Sequence, residues 1–455
     1  MGAARPREVM ILVEIAPFKG IMFNRDELND HGGLLVAPPY DVLSVEEQRA
    51  GLNLHPHNIL HLDYNLNSPE DNDKFAWHRR SGETLKRWLA EGVLKRLEKP
   101  AIFQVETGCQ NPVKGGPIVR RGLVCLMRLV DFSHQSAVKP HEKTFSSHKE
   151  ERLDLMKATH ANLSQVFGFF PDEDRRAWSL MRETTEMKAP EAEFTDYRQY
   201  RHRIWLNDDQ ENIGRFISIM KERQVYLADG HHRYETALNY RDYLKGKGEF
   251  SPGADYIMIY LCPMSDPGLV VLPTHRLLNG SLPHQDELLN RLSQFFKISG
   301  KTFTDQTEPV MRGRFLAKLK KQRGHIGLYL AGRQTYYVLK SLDRVPEELA
   351  AQKEPPELAA LDTVMLSGVI FKRILGLTEK DLDNPEVVAY VSDLGQALDL
   401  VRDKKRQAAF ILNPSTVEDV IRVSEKGLTM PRKSTFFYPK VTTGLVLNLI
   451  DDFTD

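Results

Sequence analysis

Short apolar runs alternate with helical patterns along the chain, and this alternation predicts a fold that mixes helices and strands. Strand-like runs occur at residues 101–106 and 122–130, and a linker rich in Gly and Pro joins them, which predicts a hairpin. The run 225–228 predicts a buried strand that passes directly into a helix. Strands and helices alternate through the middle of the chain, so this part is predicted to be a layered α/β or α+β unit.

Helix signals are clear in the first hundred residues. Ser44 followed by Glu47 has the spacing of a capping box, which predicts that a helix begins there. Leu85 and Trp88 lie at helical spacing before Gly92, where the helix is predicted to end.

A second series of elements is predicted beyond about residue 282. Helical patterns occur at 288–296 and 314–320, and two strand-like runs follow at 325–330 and 335–339. A long apolar helical pattern covers 358–375. The late segment 430–440 concentrates basic, hydroxyl and aromatic residues and is predicted to be a loop.

Composition and charge exclude several classes of protein. The chain has 455 residues, of which 41% are hydrophobic, so it has ample material for a core. Lys plus Arg and Asp plus Glu both count 62, which gives a formal net charge of zero. We therefore expect no specific nucleic-acid partner. Because no stretch approaches the roughly 20 apolar residues of a membrane span, we also expect no membrane partner.

The cysteines and the N-terminus point to the cytoplasm. Cys109, Cys125 and Cys262 are scattered without the CxxC spacing of a zinc site, and their apolar neighbours predict that they are core residues. So few cysteines favour a reducing compartment. The apolar run 9–13 is too short for a signal peptide and meets Glu14 at once, so secretion is not expected.

The turn after the strand at 225–228 has the residues of an anion site. Asp229 and Gly230 suit the turn and N-cap positions, which places His231 and His232 near the positive end of a helix dipole. Arg233 adds a planar fork that can bind two phosphate oxygens. These features predict a phosphate site. The alternative is that Asp229 is merely an N-cap and Arg233 a surface charge.

Two further segments complete the candidate chemistry. Glu142, beside His141, supplies a carboxylate base, and Lys433, Ser434 and Thr435 supply a lysine with two hydroxyl groups. With the phosphate turn, these groups form the inventory of a phosphoryl-transfer site. Each segment also has an ordinary interpretation, because a Glu beside a His is usually a solvated pair and a Lys-Ser-Thr run is usually a surface loop.

Magnesium is the metal that the residues favour. Asp229 or a nearby carboxylate, with substrate phosphates and water, would bind it as oxygen ligands. Zinc at His231 and His232 is disfavoured because zinc helices use i, i+4 pairs. Neither a GxxxxGK[ST] loop nor a GxGxxG fingerprint occurs at a strand-to-helix turn.

Seven segments together resemble the domain-of-unknown-function family ten-fifteen. The resemblance covers nearly the whole chain, and the family itself is uncharacterised. The segments are Pro-Pro-Tyr-Asp-Val at 38–42, Pro-His-Glu at 140–142, Lys-Glu-Glu-Arg-Leu at 149–153, Ala-Asn-Leu-Ser at 161–164, and the segments 228–234, 272–276 and 430–440.

The central part of that family resembles the ParB and sulfiredoxin-like superfamily, in which a Gly-x-x-Arg turn holds a nucleotide phosphate. Residues 230–233 fit this turn. The closest pattern is that of the free serine kinases, some of them ADP-dependent, which share an upstream His-Glu, the Asp-Gly-His-His-Arg turn and a late Pro-x-Lys-[Ser/Thr]-Thr segment. Sulfiredoxins carry a reactive cysteine where this chain has His231, so sulfinic-acid repair is not expected. A helix-turn-helix reader like that of ParB is not found either.

The likeness implies a role for each candidate residue. Glu142, with His141 beside it, would be the base that takes the proton of the serine hydroxyl. The nucleotide phosphates and magnesium would be held by the turn, and the late segment would close the site. The residues so implied are Asp229, Gly230, His231, His232 and Arg233 in the turn, and Lys433, Ser434 and Thr435 in the late segment.

We therefore predict an α+β (mixed α/β) protein in three parts. Residues 1–100 would form an N-terminal α/β subdomain and 101–281 a ParB/sulfiredoxin-like nucleotide-binding unit. Residues 282–455 would form a C-terminal α/β subdomain whose tail returns to the site. The predicted function is a cytoplasmic phosphotransferase that uses ADP or ATP and Mg²⁺ on a small hydroxyl-bearing metabolite, with free serine as the first candidate. The alternatives are a non-catalytic nucleotide-binding regulator of the ParB-like type and a nucleotide hydrolase.

Overall fold

The computed structural model describes residues 12–68, 71, 73, 75–113, 115–133, 136–142, 146–280, 282–320 and 322–450, with the backbone alone at 146–148. Most of the N-terminal run 9–13 lies outside the described residues. The chain divides into two compact units. The first comprises Met1–Pro140, Thr144–Val270 and Pro439–Asp455, and the second comprises His141–Lys143 and Val271–Tyr438. The three-part division at residues 100 and 281 stays a prediction.

Strands and helices are numbered in chain order. The strands are β1 (Ile15–Ala16), β2 (Ile21–Phe23), β3 (Leu94–Arg96), β4 (Ile102–Gln110), β5 (Pro117–Arg128), β6 (Val138–Lys139), β7 (Ala161–Asn162), β8 (Val166–Phe170), β9 (Ala192–Thr195), β10 (Arg201–Asn207), β11 (Val225–Asp229), β12 (Tyr256–Pro263), β13 (Val270–Leu272), β14 (His275–Leu278), β15 (Phe296–Thr302), β16 (His325–Leu330), β17 (Thr335–Ser341), β18 (Val388–Val391), β19 (Ala408–Ile411), β20 (Phe436–Tyr438) and β21 (Asn448–Leu449). The helices are α1 (Arg25–Leu35), α2 (Val45–Leu52), α3 (Leu60–Asp63), α4 (Ala76–Ala90), α5 (Ser146–Thr159), α6 (Arg176–Thr185), α7 (Gln210–Lys221), α8 (His231–Lys247), α9 (Gln285–Ser293), α10 (Glu308–Leu319), α11 (Arg344–Ala351), α12 (Pro356–Ala359), α13 (Asp362–Val364), α14 (Glu379–Leu382), α15 (Leu394–Arg402) and α16 (Val417–Glu425).

The first unit is built on a large mixed sheet. Its strands lie in the order β6-β11-β8-β12-β5-β4-β10-β9, and β1 pairs with β5. Strands β4 and β5 are antiparallel neighbours, so the predicted hairpin is confirmed. Strand β11 is parallel to β6 and antiparallel to β8, and its pairing with β8 shifts register between Leu227 and Asp229. Such a shift changes the direction of the strand end. Here it lies where the chain enters the turn before α8.

Helices cover this sheet and hold β11 in place. Phe216 of α7 and Tyr240 and Leu244 of α8 belong to the same buried cluster as Ile257 and Ile259 of β12. All five residues of β11 are buried, which confirms the buried strand predicted at 225–228. The turn that follows β11 is therefore supported by a packed core.

The second unit contains an antiparallel sheet in the order β15-β17-β16-β19-β14-β18. The strands predicted at 325–330 and 335–339 are confirmed as β16 and β17. The helix predicted at 288–296 is displaced, since α9 ends at Ser293 and β15 begins at Phe296.

The continuous helix predicted over 358–375 is wrong. Leu361 is extended (φ −92°, ψ 133°) and separates α12 from α13, and a π-helix follows over Met365–Ile374. Apolar spacing alone does not distinguish one long helix from short helical pieces, because each keeps a buried face. The loop predicted at 430–440 likewise contains the short strand β20.

Other local predictions are confirmed. Ser44 caps α2 with the full capping box to Glu47, and the helix with Leu85 and Trp88 ends at Ala90, just before Gly92 (φ 75°). The three cysteines are buried. No helix in the described ranges is long and apolar enough to cross a membrane. The mixed α/β class is confirmed.

Candidate functional site

The turn between β11 and α8 depends on a glycine. Gly230 lies at the N-cap position of the 17-residue helix α8 with φ 80° and ψ 26°. A Cβ atom at Gly230 would lie 3.0 Å from Nε of Arg233. Glycine is therefore required both for the left-handed backbone and for the close approach of the guanidinium group.

The side chain of Asp229 is held by two cations of the first unit. Its Oδ2 accepts a hydrogen bond from Nη2 of Arg233 (2.9 Å), and its Oδ1 accepts one from Nζ of Lys440. Because Gly230 is the N-cap residue of α8, Asp229 is not the simple N-cap of the alternative interpretation. Arg233 is 7% exposed, so it is not a surface charge either.

Arg233 braces the turn from inside. Its Nη1 donates to the carbonyl of Gln165 on the neighbouring part of the sheet, while its Nε is buried and finds no hydrogen-bond partner among the described residues. Burial opposes the charge of this guanidinium, but Asp229 and further acidic groups outweigh burial and raise the pKa of Arg233. Since both terminal nitrogens donate within the protein, the predicted two-oxygen phosphate contact stays a prediction.

A second buried arginine, which was not predicted to be a site residue, belongs to the same charged region of the first unit. The guanidinium carbon of Arg152 lies 3.9 Å from the ring centroid of Tyr40, and its Nη1 donates to the backbone carbonyl of Asp63 (2.7 Å). Burial raises the pKa of Asp63, and the charges of Arg152 and Arg233 act against that rise. Tyr40 and Arg152 both lie in segments that carried the family resemblance, which was the available signal.

The two histidines of the turn differ in exposure. His231 is buried, and His232 is half-buried at the next position of α8. One turn further, Glu235 accepts a hydrogen bond from Nζ of Lys149 on α5 (2.6 Å). The start of α8 is therefore tied to α5 as well as to the sheet.

The second unit brings two of the three candidate segments together. Nε2 of the fully buried His141 lies 2.8 Å from Oγ1 of Thr435. Glu142 accepts a hydrogen bond through Oε1 from the backbone N–H of Lys433 (3.1 Å). Glu142 also forms a parallel bridge with Met430, whose N–H donates to the carbonyl of His141. The buried contact between His141 and Thr435 fits neither a solvated pair nor a surface loop, whereas the hydrogen bond between Glu142 and Lys433 is exposed.

The late segment is shaped by its own hydrogen bonds. Lys433 has a left-handed backbone (φ 57°), and its carbonyl accepts from Nη2 of Arg276 (3.0 Å). The hydroxyl of Ser434 donates to the carbonyl of Pro431 (2.5 Å). Arg276 is buried, and burial lowers its pKa to about 10 although Tyr390 and the Glu142 carboxylate favour its charge.

The candidate residues thus fall into two groups. Asp229, Gly230, His231, His232 and Arg233 lie in the first unit with Lys440, and His141, Glu142, Lys433, Ser434 and Thr435 lie in the second. The roles assigned to these residues in catalysis, phosphate binding and metal binding stay predictions.

These observations define a mixed α/β protein in which a buried strand, a left-handed glycine and an arginine-braced helix start form the central feature. The chain belongs to the family described as "Protein of unknown function (DUF1015)", whose sequence model matches residues 15–364. No curated protein matches the chain.

Several solved structures are similar to this chain at low identity. A conserved hypothetical protein from Pyrococcus furiosus is 13% identical, with 70% of this chain and 94% of that chain covered and a TM-score of 0.33. A free serine kinase in complex with ADP is 12% identical, with 68% and 87% covered and a TM-score of 0.32. SbnI with a C-terminal truncation, from Staphylococcus aureus, is 10% identical, with 70% and 88% covered and a TM-score of 0.34. Likenesses at this level carry no conclusion about function.

Proposed function

We propose that this protein is a nucleotide-dependent phosphotransferase that uses ADP or ATP and phosphorylates a small hydroxyl-bearing metabolite. The observation that carries the proposal is the start of α8, where the N-cap residue is a left-handed glycine and the guanidinium group of the buried Arg233 lies close to it. A glycine at this position lets a ligand approach the backbone closely, and the positive end of a helix dipole favours anions. The phosphates of the nucleotide would bind there.

Two cations support phosphate binding at this turn. Lys440 and Asp229 are each about one-tenth exposed, so the lysine is a cation held at the edge of the turn rather than a solvated side chain. Nε of Arg233 has no hydrogen-bond partner among the described residues, which leaves one donor of a buried guanidinium for a ligand or water. An oxygen of a nucleotide phosphate would accept a hydrogen bond from this Nε–H group, since buried polar groups are normally hydrogen-bonded.

Glu142 is the base in this proposal. The hydroxyl oxygen of the acceptor attacks the terminal phosphorus of the nucleotide, the bond from phosphorus to the bridging oxygen breaks, and the hydroxyl proton passes to the Glu142 carboxylate. The nucleotide leaves with one phosphoryl group fewer. The hydrogen bond from the Lys433 N–H to Oε1 positions the Glu142 carboxylate for this role.

The contacts of Asp229 do not favour it as a magnesium ligand. Both of its oxygens accept hydrogen bonds from cations, and Mg²⁺ binds carboxylate oxygens in an octahedral shell with waters. Lys440 already supplies a positive charge at this carboxylate. No metal at Asp229 takes part in the proposed step.

Calorimetry with ADP, ATP, AMP and pyrophosphate tests the binding half of the proposal. Nucleotide at 100 times its dissociation constant should raise the free energy of unfolding by about 2.7 kcal/mol.

Phosphorus NMR with serine and other hydroxyl metabolites then tests transfer of the phosphoryl group. Binding with transfer supports a kinase, binding with neither transfer nor hydrolysis replaces it with a regulator, and hydrolysis without an acceptor product replaces it with a hydrolase. Absence of nucleotide binding overturns the phosphate site itself.

A further inference from the structure

Three side chains of the first unit meet at a place that the proposed phosphate chemistry does not use. Glu27 lies on α1, and His55 and His57 lie in the loop after α2. Each offers one ligand atom, and the three atoms lie within 4.8 Å of one another. Nδ1 of His57 is 3.1 Å from Oε1 of Glu27. The three residues are intermediate in burial, so the cluster lies near the surface without being fully solvated.

The second oxygen of Glu27 is the unexplained group of this cluster. Oε2 is shielded from solvent and finds no hydrogen-bond partner among the described residues. A carboxylate oxygen removed from water without a partner is costly, and such atoms normally bind a donor, a water or an ion. A cation between the carboxylate and the imidazoles would remove this cost.

The surrounding backbone holds the three ligands in place. Asn24 caps α1 by accepting a hydrogen bond from the Glu27 N–H (2.8 Å). Asn58, directly after His57, is fully buried and donates to the carbonyl of Leu34 (2.6 Å), which ties the histidine loop to the end of α1. The ring of Trp88 lies edge-on to His57 at 5.4 Å. A site with this support is largely preformed.

We propose that Glu27, His55 and His57 form a binding site for a divalent transition metal ion, with zinc as the first candidate. Two imidazoles and one carboxylate are a ligand set of zinc and of non-haem iron, whereas magnesium and calcium prefer oxygen ligands alone. Three protein ligands leave at least one coordination position for water or a small anion. The sequence signal is the His55-Pro56-His57 spacing, which matches no standard zinc motif and becomes informative only with Glu27 beside it.

Zinc binding to the full-length chain tests this proposal. Calorimetry with Zn²⁺ alone should find one ion per chain for the wild type, and Glu27→Gln and His57→Gln should each weaken binding at least roughly tenfold. His284→Gln is the matched control, because its ring is 78% exposed and lies in the second unit. Circular dichroism checks that each variant is folded.

A measurement on the wild type alone guards against variants that fail to fold. Co²⁺ bound in place of Zn²⁺ should give visible absorption bands typical of nitrogen and oxygen coordination. Metal binding should also shift the NMR signals of two histidine rings. The proposal is overturned if the wild type binds no Zn²⁺, if folded Glu27→Gln and His57→Gln bind it as tightly as the wild type, or if His284→Gln weakens binding equally.

Discussion

Lys440 donates a hydrogen bond to Oδ1 of Asp229, although 211 positions separate the two residues in the chain. Both side chains are 11% exposed, so the pair lies almost out of solvent. Lys440 therefore contacts the turn before α8, where Asp229 pairs with Arg233 within the first unit. A buried pair of this kind is costly to break, because the remaining charge is left without compensation.

Lys440→Met should lower both the stability of the protein and its affinity for nucleotide. We expect a loss of about 3–5 kcal/mol in the free energy of unfolding, measured by urea titration, because the almost buried Asp229 carboxylate then loses the charge of Lys440. The double variant Asp229→Asn with Lys440→Met removes both charges and should recover part of this stability. If the single and double variants are equally destabilised, the ion pair is not the source of the effect.

Gly230→Ala should disturb the turn before α8. The left-handed backbone costs a non-glycine residue about 1–3 kcal/mol, and the new Cβ would press on the Arg233 guanidinium. We expect lower stability and at least a tenfold loss of nucleotide affinity by calorimetry.

Gly246→Ala is the matched control for this change. It lies in the same helix, and a Cβ there would meet nothing within 4 Å among the described residues. It should leave affinity unchanged and raise stability slightly, since alanine favours a helix interior. Equal effects of the two substitutions would refute a special role for Gly230.

Local signals in the sequence predicted local structure well. Ser44 and Glu47 lie three positions apart, and the hydrogen bonds between them depend on nothing else in the chain. The strand predicted at 225–228 and the helix that begins near His231 were predictable for the same reason, because an apolar run and a glycine turn both lie within a dozen residues. The structure confirms all of these.

Contacts between distant segments were not predictable in this way. Arg152 stacks on Tyr40, and Lys440 pairs with Asp229, but no periodicity or spacing connects residues in such remote segments. Family resemblance marked these segments without indicating which side chains meet. The same limit applies to Leu361, whose extended backbone breaks a pattern that is apolar throughout.

Arg152→Lys should destabilise the first unit although the charge is kept. Lysine cannot reproduce the planar group that stacks on Tyr40 and donates from Nη1 to the Asp63 carbonyl. We expect a loss of about 1–3 kcal/mol by thermal unfolding, because a buried carbonyl loses its donor. Arg182→Lys is the control, since Arg182 is half exposed, and it should change stability by less than about 0.5 kcal/mol.

Glu142→Gln should separate binding from catalysis. Glutamine keeps an oxygen that accepts from the Lys433 N–H, so the segment should hold its shape. Glutamine is not a base, so turnover should fall by a factor of roughly 10² to 10⁴. The nucleotide affinity should stay within a few-fold of the wild-type value. Steady-state kinetics and calorimetry check the two parts. Turnover equal to that of the wild type would mean that the base is another residue.

His275 should make the second unit sensitive to acid. Its ring is buried on β14, Nδ1 accepts from the Leu412 N–H (3.3 Å), and burial together with Arg276 lowers the pKa of His275 to about 4. The unfolded chain would protonate this ring near pH 6.5, so the unfolded state binds more protons between pH 4 and 6.5. The contribution of this ring to the free energy of unfolding should therefore be fully present above pH 6.5. It should be lost as the pH falls towards 4, by about 3 kcal/mol in total.

The pH dependence of unfolding in His275→Asn isolates this contribution. Asparagine keeps an oxygen acceptor for the Leu412 N–H but does not titrate, so the variant should lose absolute stability while its free energy of unfolding falls less steeply between pH 6.5 and 4. His284→Asn, which changes an exposed ring, should keep the wild-type slope. Because the slope reports the difference in bound protons and not the packing lost with the ring, an unchanged slope in His275→Asn would show that another group causes the acid sensitivity.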